Sequence, residues 1–214
     1  MKLQVKICGV STPEAMDAAV DGGARFVGLV FYPRSPRAVS PNLAAQLARV
    51  VPTGVRVVGL FVDPDDDRLD EVIGQVPLDL IQLHGHETPA RVAAIRSGFN
   101  IPAMKAISVA AAEDLDGAAA YDGVADRLLF DAKPPANVTA LPGGNGIPFD
   151  WALVAGRRWG VPWMLSGGLN ADNLAEAVRQ AGAAAVDVSS GVEDRPGHKS
   201  PELIRRFLEA AAAV

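Results

Sequence analysis

Eight short β-branched runs alternate with eight Ala/Leu-rich segments of helical period, and this repetition constrains the chain more than any single motif. The runs fall near 3–8, 25–31, 55–62, 79–83, 101–106, 126–131, 162–166 and 184–188. The helical patterns fall near 12–22, 41–51, 66–75, 88–97, 110–121, 149–158, 170–181 and 201–213. Several helix starts are marked by capping chemistry: Ser-Thr-Pro-Glu at 11–14, Ser40 with Pro41, Thr88 with Pro89, and Asn170 ahead of Ala171. Right-handed βαβ crossovers repeated eight times in 214 residues close most simply into a (β/α)₈ barrel, read here as one domain over 1–214. A doubly wound sheet is the competing fold, and it requires a GxGxxG or GxxxxGK turn after the first strand. The chain has ICGVSTPEA there instead.

Composition narrows the partners. A single cysteine excludes an intrachain disulfide and points to a reducing, cytoplasmic setting, and MKLQVKICG is too short and too polar for a secretory signal. No apolar run reaches the roughly 18–20 residues needed to cross a bilayer, so no membrane partner is expected. A net charge of −5 without a basic stripe argues against nucleic acid. The run DPDDD at 63–67 reads as acids opening a helix rather than as a metal site, because the helix dipole favours negative charge there. The connection 132–148, rich in Pro and Gly, is long enough to serve as a lid, with a tolerated surface insertion as the alternative. Monomer and homodimer are both compatible with the sequence.

In a barrel of this kind chemistry sits at the carboxyl ends of the strands, and those ends are polar here. Side chains alternate across a strand, so Lys6 and Cys8 share one face and Val5 and Ile7 the other. Cys8 therefore points to the barrel axis beside an ammonium, which favours a thiolate, although a lone cysteine also serves as a small hydrophobe. The same parity places Asp131 with Leu129, and Asp187 with Ser189, on inner faces. Asp131 suits either catalysis or turn capping. Arg37, in the proline-stiffened FYPRSPR, suits either a carboxylate fork or a surface charge. Lys133 reads as a loop charge, and His84 in QLHG as a general base or a structural histidine. SGGLNADN after strand seven and SSGVE after strand eight supply glycines and free N–H groups of the kind that bind phosphate, and GGNG at 143–146 adds a third such loop.

Eight pieces in order resemble the phosphoribosylanthranilate isomerase family: KICG at 6–9, GLVFYPRSPR at 28–37, VGLFVD at 58–63, IQLHG at 81–85, FDAK at 130–133, GGNGIPFDW at 143–151, LSGGLNADN at 165–173 and VDVSSGVE at 186–193. The resemblance covers essentially the whole chain. It implies a tryptophan-pathway enzyme that rearranges N-(5′-phosphoribosyl)anthranilate, a small sugar phosphate, to the ketoamine without metal or cofactor. It further implies that Asp131 is the general acid and Cys8 the general base. Arg37 then takes the anthranilate carboxylate, and Asp187 stands by the substrate nitrogen or the sugar hydroxyls. The backbones of Gly144, Gly146, Gly167, Gly168, Ser189, Ser190 and Gly191 share the phosphate.

Two departures stand out. Where many members of the family carry GxKD, this chain has GHKS at 197–200, so a capping role passes to Ser200, and the connection after FDAK is longer than the family minimum. The histidine-pathway aminoaldose isomerase, alone or as a second activity, is the enzymatic alternative. It is expected to carry an aspartate in place of Cys8 and to need two phosphate sites. A non-catalytic sugar-phosphate-binding barrel is the other alternative.

Overall fold

The structure, a computed structural model, describes residues 2–133, 143, 144, 146 and 148–214. Most of the expected lid, residues 134–142, 145 and 147, lies outside the described residues. The eight strands are β1 (Gln4–Cys8), β2 (Phe26–Val30), β3 (Arg56–Phe61), β4 (Leu80–Leu83), β5 (Ala103–Val109), β6 (Arg127–Ala132), β7 (Trp163–Leu165) and β8 (Ala185–Val188). All pair in parallel in chain order, and β8 returns to β1 to close the barrel. At that seam Lys6 stands in register with Asp187.

The period-two alternation of the strands produces two separate cores. Outward-facing residues such as Val5, Ile7, Leu29, Phe61 and Phe130 pack beneath the crossover segments in one large cluster. Inward-facing residues form a small second cluster that includes Phe26, Val58, Leu80, Met104, Leu129 and Met164. The Arg127 guanidinium lies over the Phe26 ring, 5.2 Å from its centroid, at the amino-terminal side of this layer. Further along the same inward rows the residues turn polar, from Lys6 and Gln82 to Cys8, His84, Asp131 and Asp187. Polarity therefore rises along the barrel axis towards the carboxyl ends.

Six crossover segments are α-helices: α1 (Pro13–Asp21), α2 (Pro41–Arg49), α3 (Asp66–Ile73), α4 (Pro89–Phe99), α5 (Leu174–Ala181) and α6 (Pro201–Ala212). Thr12, Ser40 and Thr88 cap the first, second and fourth, each accepting from a backbone N–H three residues on, with Pro in the first turn. Asp65 caps α3, and Asp66 and Asp67 occupy its first turn, which is the role expected of the DPDDD run. Among the described residues no group of His, Cys, Asp or Glu side chains is placed to hold a metal ion, and no helix is long and apolar enough to cross a membrane.

Three expectations need correction. The fifth and sixth crossovers are 3₁₀ segments, Ala112–Tyr121 and Trp151–Val154, rather than α-helices. In the first, Asp114 reaches back to the N–H groups of Ala110 and Ala111, and Gly117 weakens helix propagation. In the second, Gly156 adopts φ +69° and turns the chain away two residues after the segment ends. The seventh helix begins at Leu174, not near 170, because Asn170 and Asn173 bond each other's backbone in a closed turn. An antiparallel pair, β9 (Glu193–Arg195) and β10 (His198–Lys199), intervenes before the last helix.

Ser200 accepts from Leu203 N–H and caps α6, whose Ile204, Phe207, Leu208 and Ala211 are buried. A lost serine cap typically costs about 1 kcal/mol, so Ser200→Ala is expected to lower the melting temperature by about 2–4 °C in a calorimetric scan while leaving the far-ultraviolet circular dichroism unchanged.

Candidate active site

A cleft of about 720 Å³, counting its open mouth, occupies the carboxyl end of the barrel. Cys8, Asp131 and Asp187 line it from β1, β6 and β8, and Arg37 from the loop after β2. Gly144, Gly146, Gly167, Gly168, Ser189 and Ser190 form part of the same wall. Gly191 does not line it. A Cβ at that position would lie 1.9 Å from the Leu169 carbonyl oxygen, so Gly191 is where the loops after β7 and β8 touch backbone to backbone. Among the described residues, nothing accepts a hydrogen bond from the N–H of Gly168 or of Ser190, which leaves both donors available at the cleft.

Lys6 donates to Asp187 Oδ1 at 2.8 Å, and both side chains are buried. Ser166 adds a longer bond, 3.4 Å, to Asp187 Oδ2. Burial by itself would depress the Lys6 ammonium, but the Asp187 carboxylate, with the Cys8 sulfur once ionised, outweighs it and holds its pKa well above the ordinary lysine value. Glycine on β2 makes the room: a Cβ at Gly28 would stand 3.0 Å from Cys8 Sγ and 3.2 Å from Lys6 Nζ. The sulfur and the ammonium thus flank one small space inside the barrel.

The thiol itself corrects an expectation. Burial pushes the Cys8 pKa up and Asp187 adds to the rise, while Lys6 pulls it down without overcoming them. Cys8 is therefore a neutral thiol in the unliganded protein at neutral pH. The cation beside it limits the cost of ionisation rather than producing a free thiolate.

Asp131 is buried and accepts at Oδ1 from the N–H of Ala132 at 2.9 Å. This is the capping role considered for it, and the second oxygen remains for other work. Oδ2 faces His84 Nε2 at 3.3 Å, and His84 Nδ1 lies 2.8 Å from Gln82 Nε2. With the Gln82 amide donating to Nδ1, the imidazole carries its proton on Nε2, which lies near Asp131 but makes no hydrogen bond to it among the described residues. His84 is thereby placed beside a carboxylate. The inward parity of Gln82 and His84 on β4 was the signal available for it.

Arg37 is neither a free fork nor a surface charge. Its Nε and Nη2 donate to Glu193 Oε1 and Oε2 at 2.7 and 2.9 Å, and Nη2 also reaches the Gly144 carbonyl at 3.1 Å. Lys199, fully buried, bonds the same Glu193 carboxylate and the Ser189 carbonyl and hydroxyl. Burial would raise the Glu193 pKa, but its bonds to Arg37 and the nearby Lys199 charge hold it below the usual carboxylate range. Glu193 and Lys199 were missed in the sequence because they come together on the unexpected β9–β10 pair. Lys133 is a surface charge paired with Asp114.

Comparison with known proteins shows which family the whole chain resembles. The family model for N-(5'phosphoribosyl)anthranilate (PRA) isomerase matches residues 5–210. The chain is 71% identical over 214 residues to the N-(5'-phosphoribosyl)anthranilate isomerase of Rhodospirillum centenum, covering 100% of both. It is 59% identical over 211 residues to that of Paramagnetospirillum magneticum, covering 99% of this chain and 98% of the relative. The crystal structure of phosphoribosyl anthranilate isomerase from Thermotoga maritima superposes with a TM-score of 0.87 at 35% identity, over 99% of this chain and 100% of the other. A phosphoribosyl anthranilate isomerase in complex with reduced 1-(o-carboxyphenylamino)-1-deoxyribulose 5-phosphate gives 0.83 at 33% identity, over 99% and 100% of the two chains.

Because Cys8 is the sole cysteine, alkylation reads its ionisation directly. Iodoacetamide is expected to react slowly at pH 7, to accelerate about tenfold per pH unit, and to show a midpoint above the ordinary thiol value near ~8.5. A plateau below pH 8 in mass-spectrometric time courses would contradict the upward shift.

Proposed function

The chain belongs to the N-(5'-phosphoribosyl)anthranilate isomerase family, and from that premise we propose which of its side chains carry the reaction. The activity is the Amadori rearrangement of N-(5′-phosphoribosyl)anthranilate to 1-(2-carboxyphenylamino)-1-deoxyribulose 5-phosphate in tryptophan biosynthesis. The observation that carries the assignment is that Cys8 and Asp131 face one cleft from β1 and β6, which are not neighbours in the barrel. An acid and a base for opposite sides of a sugar need such separated supports.

In this reading Asp131, protonated, gives its proton to the furanose ring oxygen. The C1′–O bond breaks, the nitrogen lone pair forms the C=N bond, and a protonated Schiff base results. Cys8, ionised by loss of its thiol proton to water, then removes the C2′ proton, and the released electron pair neutralises the iminium nitrogen as an enol amine. Protonation at C1′ and loss of the hydroxyl proton at C2′ give the ketoamine. His84 would stand by the Asp131 carboxylate left once its proton is given up, and the Lys6–Asp187 pair stands beside the thiol that must ionise.

The rest of the cleft suits the remainder of the substrate. The N–H groups of the loops holding Gly144, Gly146, Gly167, Gly168, Ser189 and Ser190 would take the phosphate dianion, consistent with the available donors of Gly168 and Ser190. Arg37 would take the anthranilate carboxylate, and Asp187 the substrate nitrogen or sugar hydroxyls. A reducing, cytoplasmic setting suits a base that has to remain a free thiol.

With phosphoribosylanthranilate generated in place, the parent protein is expected to form the ketoamine rapidly. Cys8→Ala and Asp131→Asn should each lose ~10²–10⁴-fold in kcat while remaining folded. Full activity in both variants would remove these two residues from the mechanism.

A further inference from the structure

We propose that Glu193 is a positioning residue that aims Arg37, and that it thereby sets the preference for a substrate carrying a carboxylate on its aromatic ring. The proposal rests on the isomerase reading above and adds to it a residue that the reading does not use. Both members of the pair are buried, with side-chain exposures of 7% for Arg37 and 4% for Glu193.

The guanidinium has two edges, and the carboxylate takes one of them. Nε and Nη2 are bound side by side to Glu193, which fixes the plane of the group as well as its place. Glu193 is itself held from other directions: Lys199 bonds Oε1, and the N–H of Gly197 donates to Oε2 at 3.2 Å. On the remaining edge Nη2 also donates to the Gly144 carbonyl at 3.1 Å, and nothing among the described residues accepts from Nη1. A Cβ at Gly144 would stand 2.6 Å from Nη1, so this edge faces the glycine loop of the cleft wall.

Charge points the same way. Arg37 and Lys199 bring two cations to one anion, leaving a surplus of one positive charge beside the cleft. A ligand carboxylate placed at Nη1 would meet a net positive charge directly, which an uncharged ring at the same place would not use. A flexible arginine would lose rotamer freedom on binding, and the clamp removes that loss beforehand. An ion pair that served stability alone would have no need to leave the Nη1 donor without an acceptor beside the cleft.

The test uses two ligands and two proteins. The ligands are reduced 1-(2-carboxyphenylamino)-1-deoxyribulose 5-phosphate and its analogue without the carboxyl group, titrated calorimetrically into the parent and Glu193→Gln. The parent is expected to prefer the carboxylate ligand by ~100-fold, and E193Q to lose at least ~10-fold of that margin while binding the other ligand within ~3-fold of the parent. In turnover, E193Q should raise KM for phosphoribosylanthranilate with kcat within ~3-fold. Equal losses on both ligands, or no loss on either, would overturn the proposal, because a structural role does not distinguish the ring substituent. If E193Q melts below the assay temperature, Glu193→Asp keeps the charge, displaces the guanidinium, and is held to the same outcomes. A parent that converts nothing yet shows the carboxylate preference, lost in E193Q, would sink the isomerase reading and leave the clamp standing.

Discussion

Closure of the barrel depends on β8 finding β1, and at that seam Lys6 is bound to Asp187 away from water. Desolvating two ions costs several kcal/mol each, and mutual attraction repays this only when the geometry is good and further bonds satisfy the partners. Here the strand register puts the two groups side by side, with Ser166 on the second carboxylate oxygen. Sequence positions 181 residues apart are thus joined at the point where the fold becomes a closed surface. The catalytic end is assembled by the same event, since Cys8 lies two residues beyond Lys6 and Ser189, two beyond Asp187, donates to the Cys8 carbonyl.

The state of Cys8 gives the chemistry an order. Burial disfavours the thiolate in the empty site, so the base is weakly populated before substrate arrives. Opening of the sugar ring creates an iminium cation within the cleft, and a cation there lowers the cost of ionising the thiol. In the proposed mechanism the acid step therefore prepares the base step electrostatically. Lys6 cannot supply that charge alone, because Asp187 neutralises most of it. A cysteine at the mouth of the first strand makes sense as a base whose strength is released late rather than as a standing nucleophile.

Strand number, parity and barrel closure were legible in the sequence because short apolar runs recur at regular spacing, side chains alternate in direction along each strand, and several helix starts carry strong punctuation. Val5 and Ile7 fell outward, and Lys6 and Cys8 inward, as alternation requires. The caps at Thr12, Ser40, Thr88 and Ser200 were equally readable, being local. What escaped depends on contacts distant in sequence or on weak local preference. Ala-rich composition at 110–121 suits a helix, yet the Asp114 turn and Gly117 produce a 3₁₀ segment. The bond between Arg37 and Glu193 spans 156 residues, so neither partner announces the other. His84 and Asp131 likewise meet only once β4 and β6 are curved round the same axis.

The apolar layer across the inside of the barrel, with Phe26, Leu80, Met104, Leu129 and Met164 packed together and Arg127 lying over Phe26, has a consequence for traffic. It makes the cleft blind-ended. Among the described residues ligand, product and displaced water share the mouth at the carboxyl end, so a ketoamine still in place excludes the next sugar phosphate. Exchange is sequential, and competition between product and substrate is built into the shape of the barrel before any side chain at the rim is considered.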